Sequence, residues 1–291
     1  MIPDARFLKQ PRAFWADVRT ISQAVGYTVR RRKGEKRGKG EIRVPSLDEI
    51  RAAYEKLDLR WDHLMNRASV PTATGTRLLD YFSFRAELLN KTVEPLLMDE
   101  PRAKRVFNQL RARLKPRCPI PMNKQKGPKR APAYLTGIIN MLVEANSGAL
   151  PCNFDPRELT TVTRGGFPVR TLARRVDGAF PGAVNPIAVW EVKEYYYTTT
   201  FGSRVADGVY ESLLDGMELE ELREHENIEV RHYLMIDGHV TWWRDGKSYL
   251  CRIVDMLHMS YVDEVLFGYE VVERLPTIVK EWTAIARNVA K

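Results

Sequence analysis

The stretch "RRVDGAFPGAVNPIAVWEVKEYYYT", positions 174 to 198, carries Asp177, Glu191 and Lys193 where a packed strand would ordinarily use Val or Ile. In an extended strand side chains alternate between faces, so Val189, Glu191, Lys193 and Tyr195 share one side and Trp190, Val192 and Glu194 the other. Glu191 and Lys193 are then neighbours, roughly 7 Å apart along the backbone. If the preceding strand pairs antiparallel with this one, a turn built from Pro181, Gly182, Asn185 and Pro186 returns Asp177 to the same end. Two carboxylates and an ammonium would converge there. Hard carboxylate oxygens suit Mg²⁺, which polarises a phosphodiester and lowers the pKa of an attacking water, while a lysine can orient that water or offset developing charge. The same three residues also suit a surface strand with a cross-strand ion pair, which is worth little.

Other chemistries lack their residues. His63, His225, His232, His239 and His258 form no HExxH or HxxxH spacing, which leaves a zinc hydrolase without ligands. Cys118, Cys152 and Cys251 are odd in number and include no CxxC pair, so neither a disulfide framework nor a structural zinc site is expected. No GxxxxGK[ST] loop occurs, and no nucleotide cofactor is expected. No apolar run approaches the roughly 18 residues of a membrane helix, so no membrane partner is expected and the location reads as cytoplasmic.

The elements that must position the trio follow from pattern. "AYLTGIINMLVEAN" is an apolar helix ending near Asn146 and Gly148, with Glu144 in its last turn. "LTTVT" and "FPVRTLARRVDGAF" are rich in strand formers and joined by Gly165 and Gly166 at a hairpin position, and "PIAVWEVKEYYYT" follows as a third strand. "SRVADGVYESLLDGMELEELREH" places Val205, Val209, Leu213 and Leu214 at helical spacing, and "IEVRHYLMIDG" is a further strand. The order is helix, three-stranded meander, helix, strand.

Upstream the chain changes character. Residues 1–130 hold 30 Lys+Arg against 14 Asp+Glu, whereas residues 131–291 hold 16 against 23, so the net charge of +9 is strongly segregated. Segregation of this size suits a polyanion such as nucleic acid, because phosphate contacts release condensed counterions. Helices are predicted from Phe14 to Val25, after a Ser46 cap with Glu49 as its capping-box partner, over Thr76 to Leu97 and over Pro101 to Leu114. Between the first two, Arg30, Arg31, Arg32, Lys33, Lys36, Arg37 and Lys39 sit among glycines without an apolar face: either a mobile arm that orders on a phosphate backbone or a solvated loop. The proline-rich and basic run from Lys115 to Pro132 marks the boundary, giving a basic, mainly helical DNA-binding region over 1–130 and a catalytic core with a C-terminal extension over 131–291.

In that context "VDG" followed by "EVK" resembles the PD-(D/E)XK nuclease superfamily, in which helix, three-stranded meander, helix and strand carry the Asp on the second strand and Glu-X-Lys on the third. Val176 stands where the signature has proline. The resemblance covers roughly residues 133–237 and implies an α/β (α+β) fold, with a restriction-endonuclease-like core whose central mixed sheet is flanked by helices. It further implies that Asp177 and Glu191 ligate Mg²⁺, that Lys193 acts in catalysis, and that Glu144 assists as a further acid. Among members, a chain of this length most resembles a type II restriction endonuclease, a homodimer acting on double-stranded DNA. A non-cleaving DNA-binding module of the same fold, or a defence or repair nuclease acting on RNA or branched DNA, are the alternatives.

Overall fold

Capping chemistry and apolar periodicity set the N-terminal helices in the computed structural model, which describes residues 1–8, 10–29, 40–123, 131–197 and 203–289. Helix α1, Arg12–Val25, buries Phe14, Trp15, Val18 and Ile21. Helix α2, Leu47–Lys56, starts from a complete capping box: Ser46 accepts from the Glu49 N–H, and the Glu49 side chain accepts from the Ser46 N–H. Helix α3, Ala73–Glu87, is capped by the Thr72 hydroxyl. It runs into a π-helical turn, Leu88–Val93, and the short α4, Glu94–Leu96. Helix α5, Glu100–Leu114, is capped by Asp99. The expected single helix from Thr76 to Leu97 is therefore one path with a wider turn in it.

The rest follows as α6 (Tyr134–Ser147), β1 (Thr161–Arg164), β2 (Phe167–Thr171), β3 (Gly178–Phe180), β4 (Ala188–Glu194), α7 (Ser203–Glu226), β5 (Arg231–Asp237), a π-helical turn (Val240–Asp245), α8 (Lys247–His258), β6 (Glu264–Phe267) and α9 (Glu270–Val289). The fold is mixed α/β. Strands β3-β4-β5-β6 form one mixed sheet, with β3 antiparallel to β4 and the other pairs parallel. Strands β1 and β2 form a separate hairpin, turned by Gly165 and Gly166 at φ 58° and 86°, the positive values a two-residue turn requires.

Here the structure corrects one expectation. The run from 167 to 180 is not one strand of a single meander. It breaks over 172–177, because Leu172 and Val176 tuck into an apolar cluster with Val162, Val189, Leu219 and Leu222. That bend separates β2 from β3 and leaves Asp177 one residue before β3.

Both faces of the sheet are covered. On one, Phe180, Trp190, Tyr233 and Met235 pack against α6 and α9, with Trp190 stacked on Trp282 at 5.6 Å and 12°. On the other, Leu234, Ile236, Val265 and Phe267 pack against α8, the N-terminal half of α7 and the end of α3. The basic half is joined to this core by a buried ion pair: Arg85 on α3 bonds both oxygens of Asp255 on α8 at 2.9 and 3.0 Å, and the Tyr81 hydroxyl donates to the same carboxylate at 2.7 Å. No helix among the described residues is long and apolar enough to cross a membrane.

Candidate active site

Strand register brings Asp177 opposite Glu191, since Gly178 pairs with Trp190 and the Asp177 N–H donates to the Trp190 carbonyl at 3.1 Å. The Asp177 N–H also approaches Glu191 Oε1 at 3.2 Å, and its carboxylate accepts the Val192 N–H at 2.8 Å, which fixes the side chain at the strand end. Two residues along β4, Lys193 Nζ donates to Glu191 Oε2 at 2.7 Å. The sequence-predicted trio is together.

Around it lies a shell that the sequence reading did not name. Arg174, in the bend before Asp177, reaches Glu191 Oε1 at 2.9 Å and Oε2 at 3.1 Å. The same guanidinium bonds Asp215 Oδ2 at 2.6 Å and Glu211 at 3.4 Å, both on α7, while Lys193 also holds Glu211 at 2.9 Å. Helix α7 passes this close because residue 208 is glycine: a Cβ there would stand 3.0 Å from the Lys193 chain and 3.1 Å from the Tyr195 hydroxyl. One sequence signal was available, since Glu211 and Asp215 are four residues apart and so share a helix face with Gly208 and Ser212.

Electrostatics follow from that crowding. Glu191 and Asp215 are both fully buried and Lys193 is 7% exposed, while Glu211 and Arg174 form the more open side. Burial works against charge on Glu191, but Lys193 and Arg174 outweigh it and hold the carboxyl below its usual range. Burial likewise works against the Lys193 ammonium, and Glu191 and Asp177 outweigh it and raise its pKa. Asp215 is not compensated to the same degree: burial, then the neighbouring Glu191 charge, push it up to about 7. Its Oδ1 is buried without a hydrogen-bond partner.

These observations test whether a divalent cation fits. Four carboxylates, Asp177, Glu191, Glu211 and Asp215, face two cations, Arg174 and Lys193, and the excess of carboxylates over cations and the orphaned Asp215 oxygen are features that a hard divalent ion would satisfy. Among the described residues no three His, Cys, Asp or Glu side chains surround a common ion position, because the Arg174 guanidinium lies between Glu191, Glu211 and Asp215. Carboxylate oxygens are the ligand type that Mg²⁺ takes, and here Arg174 and Lys193 occupy them.

Glu144 is not brought to this cluster. Its carboxylate accepts the Arg117 N–H at 2.9 Å, on α6, which packs against the opposite face of the sheet. The acid that α6 does meet is Glu194, whose carboxylate accepts the Thr136 N–H at 3.0 Å and the Thr136 hydroxyl at 3.1 Å at the helix N-terminus. Beside it in register, Asp237 accepts from the Met98 N–H, the Gly238 N–H and the Tyr196 hydroxyl. Burial pushes each of these two acids up to about 7. The arm residues Arg30, Arg31, Arg32, Lys33, Lys36, Arg37 and Lys39 lie outside the described residues.

No curated protein and no solved structure matches the chain. Residues 1–92 match the family described as Domain of unknown function (DUF7690). Residues 98–282, more than half of the chain and inclusive of every member of the carboxylate cluster, match Domain of unknown function (DUF7687), and the chain belongs to that family.

Proposed function

We propose that this protein is a Mg²⁺-dependent endonuclease that hydrolyses DNA phosphodiester bonds, of the sequence-specific restriction type and working as a homodimer. The observation that carries this reading is the convergence of Asp177, Glu191 and Lys193 at the junction of β3 and β4, inside a cluster of four carboxylates and two cations. Asp177 and Glu191 would hold the metal, which when bound supplies an electrophile for the phosphodiester and a more acidic water. Lys193 cannot ligate a cation, so its ammonium acts on the water or on charge building at phosphorus. Arg174, on the open side, would meet the phosphate, and Glu211 would keep Lys193 paired if Glu191 held the metal. The excess of positive charge over residues 1–130 supplies attraction for the DNA backbone.

One observation favours a second reading. Every Glu191 oxygen is engaged by Arg174, Lys193 or the Asp177 N–H, which also suits a non-cleaving DNA-binding module that keeps the cluster as an ion-pair network. Supercoiled plasmid incubated with the protein, with and without Mg²⁺, separates the two. Discrete fragments support the restriction reading, and a smear supports a nuclease without sequence preference. Retarded but intact plasmid supports the binding module, and cleavage confined to RNA or branched DNA moves the substrate class.

A further inference from the structure

Residues 101–143 contain eleven Lys+Arg and no Asp or Glu, the first acid after Glu100 being Glu144. At the chain's overall share, 37 acids in 291 residues, a run of that length would hold about five. The run begins with α5, whose buried residues Ala103, Val106, Phe107 and Leu110 are seated on α6, where a Cβ at Gly137 would stand 2.6 Å from the Phe107 ring. That contact turns the other side of α5 outward. On it stand Lys104, Arg105, Arg111 and Arg113, followed by Lys115 and Arg117, all six exposed and none with a carboxylate partner for its side chain among the described residues. Exposed cations elsewhere do have such partners, as Arg60 has Asp62, Lys91 has Glu87 and Arg164 has Glu226.

Spacing and side-chain chemistry define what fits this face. Lys104, Asn108, Arg111 and Lys115 fall at the spacing that makes one line along a helix. From 104 to 115 the rise is roughly 16 Å, that of about five base pairs of duplex. Four of the six cations are arginine, whose planar fork bonds phosphate oxygens in pairs. No large apolar side chain of residues 100–117 is exposed, so the face lacks the apolar half that a helix lying on a membrane buries. It also lacks an exposed ring on which the bases of a single strand could stack. Cations and carboxamides without apolar or aromatic contact suit the outside of a duplex, held through its phosphates and not read at its bases.

We propose that the outward face of α5, continued by Lys115 and Arg117, is a docking surface for the phosphate backbone of duplex DNA, gripping it without sequence preference. The surface is separate from the carboxylate cluster, since α5 packs on α6 and α6 covers the opposite face of the sheet. It deepens the nucleic-acid reading above and rests on that reading's polyanion partner, but it needs neither metal nor cleavage.

The test uses the full-length protein in EDTA, so that cleavage plays no part, and follows the fluorescence anisotropy of a labelled duplex of mixed sequence over a range of salt. The K104Q/R105Q/R111Q/K115Q variant, changed only at exposed positions, is expected to keep the wild-type Tm and to bind at least about tenfold more weakly. Its slope of log affinity against log salt should fall by about 1.8 to 3.6, two to four contacts at about 0.9 each. R60Q/K91Q, which removes two exposed cations that have carboxylate partners, is expected to change the slope by less than about 0.9. A quadruple variant with wild-type affinity and slope overturns the proposal. So does a loss of equal size in R60Q/K91Q, which would make the effect one of net charge. A single strand bound as tightly as the duplex, or phosphatidylserine vesicles that compete as strongly as unlabelled duplex, overturns it too. Duplex bound with the expected slopes but never cut in Mg²⁺ supports the surface and refutes the nuclease reading alone.

Discussion

Replacing Arg174 by Gln removes one of two cations from a cluster of four carboxylates, and the outcome depends on what else can supply charge. In the wild type the guanidinium serves Glu191, Asp215 and Glu211 at once, and Glu191 and Asp215 are fully buried. Breaking a buried ion pair by removing one partner costs about 3–5 kcal/mol. The Arg174 side chain keeps 23% of its exposure, which places the loss at the lower end, about 3 kcal/mol. For a chain of this size that is a fall of roughly 6–12 °C in Tm. A divalent cation at 100 times its Kd returns about 2.7 kcal/mol by mass action. Thermal unfolding in EDTA and across a Ca²⁺ titration is the assay. We expect Arg174→Gln to melt well below wild type in EDTA, to recover most of the loss in Ca²⁺, and to bind Ca²⁺ more tightly than wild type, in which guanidinium and metal compete for the same oxygens. A fall under about 2 °C in EDTA, or equal Ca²⁺ shifts in both proteins, would refute the idea that arginine holds the place of a cation.

Asp237→Asn should flatten the pH dependence of stability. The wild-type acid is raised from 3.8 to about 7 by burial, so its contribution is fully present below about 4 and lost as pH rises through 7. The variant should therefore gain roughly 2–4 kcal/mol on wild type between those limits, and parallel Tm curves from pH 4 to 8 would contradict this. Gly178→Ala should cost about 3 kcal/mol or more in urea unfolding, because the new Cβ would lie 2.0 Å from the ring of Trp190, which is 1% exposed and stacked on Trp282. A loss below about 1 kcal/mol would show that the tryptophan pair can move.

How far the sequence could be read depended on whether the signal was local. Ser46 with Glu49, Gly165 with Gly166 and the alternation through β4 are short-range chemistry, and each appears in the structure as expected. The pairing of Asp177 with Glu191 was legible because a single turn joins their strands. The break at 172–177 was not, since it is driven by Leu172 and Val176 packing onto α7 residues some forty positions away, and with it went Arg174 as a partner of Glu191. Strand β6, four buried residues after α8, carries too short an apolar run to announce itself. Glu144 lies on a helix read correctly, but a helix assignment does not say which face of the sheet the helix will cover.

Single-turnover cleavage of duplex DNA in Mg²⁺ by wild type, Asp177→Asn and Glu191→Gln, each with DNA binding measured in parallel, bears most directly on the central claim. The account predicts cutting by the wild type that stops in EDTA, and a loss of about 10²-fold or more in both variants with affinity for DNA nearly unchanged. Wild-type cutting rates in either variant, or intact DNA under every metal condition, would contradict it.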